Sequence, residues 1–229
     1  MKKSAKKYYA RLRNGYAIKI RQLVPKYDEM TQCIVDLLKF SSPATALDIG
    51  AGIGNLSFTV LREIPNVQLT AVEASEEMIS EARAHLPSNE PRVSLLHQDI
   101  LDFSPAGRFD AIFTNLVLHN IPFDRKSKLI STINSWLNPG GIFIWGDLIR
   151  YSDPQVQDYF IGERMVHAVS AGCSKELIKE NFGKEGNEDY PLTLEETLGV
   201  ARNAGFDNVQ NVWTHDTFAV FFIKKENMP

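Results

Sequence analysis

Three glycines, Gly50, Gly52 and Gly54, recur at every second position behind an acid, Asp48, and two further acids, Glu73 and Asp99, follow at the ends of apolar runs. Glycines at that spacing free the backbone torsions and let a ligand lie against bare main chain. A carboxylate one helix and one strand further on can accept hydrogen bonds from both hydroxyls of a ribose, and the interval from Gly52 to Glu73 has that length. Asp99, behind a third apolar run, can accept from an adenine amino group while Ile100 packs on the ring. The chemistry in reach is nucleoside binding. A dinucleotide fingerprint would read G-x-G-x-x-G, but here the third glycine arrives one residue early, and an acid before the loop suits a cationic ligand better than a pyrophosphate. Each acid also has a plainer reading, Glu73 as a helix cap and Asp99 as a turn residue. Ser75 already supplies a cap for the helix after Glu73. Two histidines are candidate general bases, His119 after the fourth apolar run and His167 further on, with a structural or surface role as the alternative for each.

The elements that must position these residues alternate in type. Ala46, Leu47 and Ile49 read as a buried strand, and from Asn55 the spacing of Leu56, Val60, Leu61 and Ile64 is helical, ending at Pro65. Further strands are expected at 67–72, 93–96, 109–114 and 142–145, with helices at 78–86 and 126–137 between them. The fourth strand exits through residues 115–120, and Asn138-Pro139-Gly140-Gly141 makes a turn before the fifth, which ends at Gly146-Asp147. A helix at 193–204 opens with the capping pair Thr193 and Glu196, and two strands at 208–213 and 217–224 form a terminal hairpin. Strands alternating with helices imply an α/β fold, a doubly wound and mostly parallel sheet. Two segments fall outside that alternation. Residues 4–38 read as two helices broken at Pro25, placed to act as a lid; residues 148–190 are too long for a plain connection and can roof the crevice.

Composition narrows the partners. With 229 residues, 44% hydrophobic and 23% charged, the chain suits a globular protein with a single core. Cys33 and Cys173 stand far apart, and the five histidines show no ligand spacing, so neither a disulfide framework nor a metal is expected and a cytoplasmic setting fits. The basic start MKKSAKK lacks the apolar stretch of a signal peptide, and the longest apolar run, residues 218–223, is too short to span a bilayer. Nine of the 25 basic residues and none of the 28 acidic ones precede Asp28. Such an arm could touch RNA, but the acidic remainder argues against a nucleic-acid footprint. A small molecule is the expected substrate, and a homodimer the expected assembly.

From about Ser41 to Lys224 the sequence resembles the class I S-adenosylmethionine (SAM) dependent methyltransferases. The resemblance rests on LDIGAGIG, the acid in AVEAS, the acid in HQDI, the exit FDAIFTNLVLHNI, the turn and strand LNPGGIF, and the closing hairpin. It implies a Rossmann-like sheet of seven strands, the last antiparallel, with residues 1–40 as a helical lid on a SAM-binding domain at 41–229. It also implies cofactor contacts: Asp48, Gly50, Ala51 and Gly52 near the methionine moiety, Glu73 with Ala74 at the ribose, Asp99 with Ile100 at the adenine, and Asn115 at the methionine edge. The N-terminal IRQLVPKYDEM is similar to that of the carboxy-SAM synthases, which implies a cofactor contact for Tyr27. Those enzymes hold an extra carboxylate with an arginine in the insertion, whereas residues 174–184 here contain none and Phe182 lies near its place. The departure puts methyl transfer to a small molecule ahead of carboxy-SAM synthesis and of RNA methylation, and His119 and His167 are the bases it would use on a hydroxyl or carbon acceptor.

Overall fold

Successive side chains of a strand point to opposite faces of the sheet, and here that alternation divides the core in two. Ala111 and Phe113 join one buried cluster with Ile34, Leu38 and Val60, while Ile112 joins a second with Ile133, Val200 and Phe221. The computed structural model describes residues 15–86 and 90–226. The expectations for Tyr8, Tyr9, Leu12 and the basic residues before Gly15 lie outside the described residues. Helices α1 (Tyr16–Leu23) and α2 (Tyr27–Ser41) are separated at Pro25, where Val24 is extended as the following proline ring requires.

Strands β1 (Thr45–Ile49), β2 (Gln68–Glu73), β3 (Val93–His97) and β4 (Phe109–Asn115) alternate with α3 (Asn55–Glu63) and α4 (Glu76–His85). Next come α5 (Phe123–Trp136) and β5 (Leu137–Leu148), then α6 (Pro154–Ser170), α7 (Lys175–Glu188), α8 (Leu194–Asn203) and the hairpin β6 (Asn208–His215) and β7 (Phe218–Lys224). The seven strands lie in the order β3-β2-β1-β4-β5-β7-β6. The first five are mutually parallel and β7 is antiparallel to both its neighbours. This is the expected seven-stranded doubly wound sheet.

Two elements differ from expectation. The Asn138-Pro139-Gly140-Gly141 turn is absorbed into β5 as an irregularity, so that Leu137 pairs with Phe109 and Ile142 with Ala111. Asn138 Nδ2 donates to Asp110 Oδ1 at 2.8 Å, which ties the extra residues to the neighbouring strand. The insertion is two regular helices, α6 capped by Asp153 and α7 by Ser174. Its pattern misleads because α6 buries Arg164 while Tyr159, Val166 and Val169 face outward, the reverse of an ordinary amphipathic helix.

Candidate functional site

The parallel strands bring their carboxyl ends to one rim, where a ligand can lie against main chain. Gly50 and Gly52 have φ of 74° and 57°, and Gly50 and Ala51 donate to Val72 O at 2.8 and 3.1 Å. A β-carbon on Gly50 would meet Val117 Cγ2 at 2.4 Å, whereas one on Gly52 would meet only Met78 at 3.5 Å. The first glycine is thus required by close packing and the second by torsion. Glu73 uses one oxygen to accept from Gly52 N at 2.9 Å and the other from Ser75 N at 2.7 Å, which merges its capping and loop-holding roles. Each oxygen keeps a second lone pair. Glu73, Ala74, Asp99, Ile100 and Asn115 join both glycines around a cavity of about 670 Å³, and Asp99 holds Leu101 N at 3.2 Å.

A second cavity, of about 370 Å³, shares Gly50, Gly52 and Asn115 with the first and is lined also by Tyr27, Asp48, Ala51 and Asn55. Asp48 accepts from Ser57 Oγ at 2.5 Å, yet burial, aided by the nearby Glu73 charge, pushes its carboxyl up to about 7. Burial likewise pushes the Tyr27 phenol up to about 12 and raises Glu73. Two side-chain atoms among these residues are buried without a partner, the acceptor Asn115 Oδ1 and the donor Asn55 Nδ2. Unsatisfied buried groups are rare enough to need an explanation. One orphan of each kind beside a buried acid suits a ligand with both an ammonium and a carboxylate. Asn55 was not singled out from the sequence, where it reads only as a helix start.

A third cavity, of about 500 Å³, meets the first at Tyr16 and Leu116 and is walled by Leu23, Val24, Leu148 and Phe218 with His119, Arg164, Lys184, Glu185 and Asp189. His119 Nδ1 lies 2.5 Å from Asp147 Oδ1. Asp147 also accepts from His119 N at 3.0 Å, Trp145 Nε1 at 2.9 Å and Leu148 N at 2.9 Å. Burial alone would raise the Asp147 carboxyl, but His119, Trp145 and the Lys126 charge together hold it below its ordinary value. Lys126 is itself buried and pushed down to about 8 by desolvation, with its Nζ on Tyr190 O. Arg164 is 2% exposed, its guanidinium lies 5.0 and 4.6 Å from the Phe182 and Phe218 rings, and Nη1 donates to Glu185 and Thr217. Its buried Nε has no partner.

His167 stands apart from the other candidates. It lines none of these three cavities; its Nε2 lies 3.0 Å from Arg21 O, a contact between α6 and α1. Arg164, Lys184 and Lys126 were missed, because a charged residue within a helical sequence looks solvated until packing buries it.

Comparison with known proteins bears on this geometry. Residues 46–141 match a family model described as a methyltransferase domain. The carboxy-S-adenosyl-L-methionine synthase of Nautilia profundicola is 24% identical over 208 residues, covering 90% of this chain and 88% of that one. Human N-acetylserotonin methyltransferase in complex with SAM superposes with a TM-score of 0.62 at 18% identity, over 86% of this chain and 52% of the other. The plantazolicin methyltransferase BpumL, with a substrate analogue and S-adenosylhomocysteine (SAH), does so with a TM-score of 0.64 at 17% identity, over 98% and 97%. The chain thus spans about half the length of the human structure and nearly all of BpumL.

The fold is that of SAM-dependent methyltransferases, and the family match runs from β1 into β5. Its walls suit SAM: a crevice opened by glycines, an acid at the end of β2, and an unpaired acceptor and donor beside Asp48. No helix among the described residues is long and apolar enough to cross a membrane.

Proposed function

We propose that the protein transfers the methyl group of SAM to a hydroxyl of a small molecule held in the cavity between His119 and Arg164. The observation that carries this reading is the His119–Asp147 pair, 2.5 Å apart and opening on a cavity that abuts the cofactor crevice. Glu73 would hold the ribose hydroxyls, Asp99 and Ile100 the adenine, and Asp48, Asn55, Asn115 and Tyr27 the methionine end. Bound there, SAM supplies an electrophilic methyl group on a sulfonium that leaves as a neutral sulfide. His119 takes the hydroxyl proton as the oxygen attacks, and Asp147 stabilises the imidazolium that forms. The apolar walls exclude water, and the unpaired Arg164 Nε offers a donor to an oxygen elsewhere on the acceptor.

Two free cysteines far apart support a cytoplasmic setting, and the outward apolar residues of α6 support a homodimer. In an assay of small-molecule extracts with labelled methyl donor, His119→Ala is expected to lower kcat by about 10²–10⁴-fold, the usual worth of a general base. SAM binding by calorimetry should hardly change. Equal losses in binding and turnover would defeat the base assignment.

A second reading is carboxy-SAM synthesis, favoured by the Nautilia relative and by Arg164, which lies against Phe182 where residues 174–184 lack an arginine. Mass spectrometry separates the two. Methyl transfer yields SAH and a methylated acceptor, and the alternative yields a carboxylated sulfonium with no SAH.

A further inference from the structure

A lysine ammonium carries three donors and no acceptor, so it dictates which end of an amide can face it. Lys184 Nζ lies 2.9 Å from Asn120 Oδ1 and also pairs with Asp189. The oxygen of Asn120 is thereby fixed toward α7. Its nitrogen must then turn toward the imidazole, and Asn120 Nδ2 indeed lies 3.0 Å from His119 Nε2 and 3.2 Å from Val117 O. Were Nε2 protonated, two N–H groups would oppose each other at a buried site, a costly arrangement. Turning the amide over to relieve it would set its N–H against the Lys184 ammonium. Nε2 therefore accepts, and the ring proton sits on Nδ1, held by Asp147, which Trp145 Nε1 and Leu148 N hold in turn.

We propose that Lys184 of the roof helix, acting through Asn120, is a positioning residue that fixes His119 in the Nδ1–H tautomer with the Nε2 lone pair ready for an acceptor hydroxyl. The functional weight of this proposal rests on His119 being the base. An arriving hydroxyl donates to Nε2 in place of the Asn120 amide, which keeps Val117 O as its own acceptor. The base is thus set only while α7 is seated, since Lys184 reaches Asn120 from a segment 64 residues away.

Long-range proton–nitrogen correlation of labelled histidine, on the SAH-loaded protein at mildly alkaline pH, tests this directly, with His119 assigned from the His119→Gln spectrum. Wild type should show a pyrrole-like Nδ1 and a pyridine-like Nε2; a proton on Nε2 overturns the proposal. Lys184→Arg, still donor-only, should keep that pattern. Lys184→Met and Lys184→Gln, the latter able to offer an oxygen to the amide, should let the amide turn over and a proton reach Nε2, so that its pyridine-like shift is lost while Nδ1 keeps its proton on Asp147. Asn120→Asp presents an acceptor to both neighbours and should move a proton onto Nε2, which covers the case in which the lysine variants fail to fold. A tautomer unchanged in Lys184→Met, or in Asn120→Asp, overturns the proposal. Calorimetric SAM binding on wild-type protein freed of SAH separates the failures. Absent binding defeats the functional reading, whereas intact binding with an unresponsive tautomer defeats this inference alone.

Discussion

Asp48 is a buried acid with no cation beside it among the described residues, which should make it a pH sensor for cofactor binding. Its carboxyl is raised to about 7 by burial, against about 3.9 in an unfolded chain. A group raised in this way contributes stability that is full below the unfolded value and is lost as pH rises through the folded one. The free protein should therefore lose stability between about pH 4 and pH 7 on this account. The ammonium of SAM favours the ionised form, so binding should release a proton below pH 7 and tighten by up to about tenfold per pH unit there. Calorimetry in two buffers of different ionisation enthalpy reads that proton, and Asp48→Asn should abolish the release. Glu73 acts differently, because both of its oxygens already hold main-chain N–H groups. Glu73→Ala removes the ribose acceptor and frees the loop together, and SAM should weaken by about 1.5–3 kcal/mol, the worth of hydrogen bonds to a charged group. Unchanged affinity would place the ribose elsewhere. At this scale the acids and glycines were legible in the sequence, since each follows a strand at a fixed interval. Arg164, Lys184 and Lys126 were not, because nothing in their neighbours distinguishes a buried cation from a solvated one.

Elements decide how firmly those residues are held. The glycine loop and the exit of β4 interlock, because Val117 fills the space that a side chain on Gly50 would take. Gly50→Ala should therefore cost SAM binding. Adding Val117→Ala should restore part of it, leaving the roughly 1 kcal/mol of strain expected of a non-glycine residue at positive φ. A double-mutant cycle measures the coupling, and strict additivity would show the two sites to be independent. Helix α8, which lines none of the three cavities, offers a control. Thr193 Oγ1 accepts from Glu196 N at 3.1 Å while Glu196 Oε2 accepts from Thr193 N at 2.8 Å. Thr193→Ala should cost about 0.5–2 kcal/mol of stability in thermal unfolding and leave SAM affinity alone. This capping box was readable in advance, because its partners are three residues apart. The regular helices of the insertion were not, because α6 turns apolar side chains outward and buries a charge.

For the whole molecule, the crevice proposed for SAM draws on β1, β2, β4, the helices α1 to α4 and the loops between them. A ligand that bridges these pieces should stabilise the fold as a unit: at a hundred times its Kd, SAM adds about 2.7 kcal/mol, or roughly 5–10 °C in Tm for a chain of this size. Scanning calorimetry with and without SAM checks this, and no shift under saturating conditions would contradict the crevice as drawn. The order of strands and helices, the glycine loop and the acids at the strand ends were determined by the sequence alone, because periodicity and short intervals are local properties that every fold of this class must respect. The lining of the third cavity was decided only by tertiary structure. His119 meets Asp147 across 28 residues and Asn120 meets Lys184 across 64. Such contacts depend on how layers pack, and packing also set one histidine candidate, His119, on the third cavity and tied the other, His167, to α1.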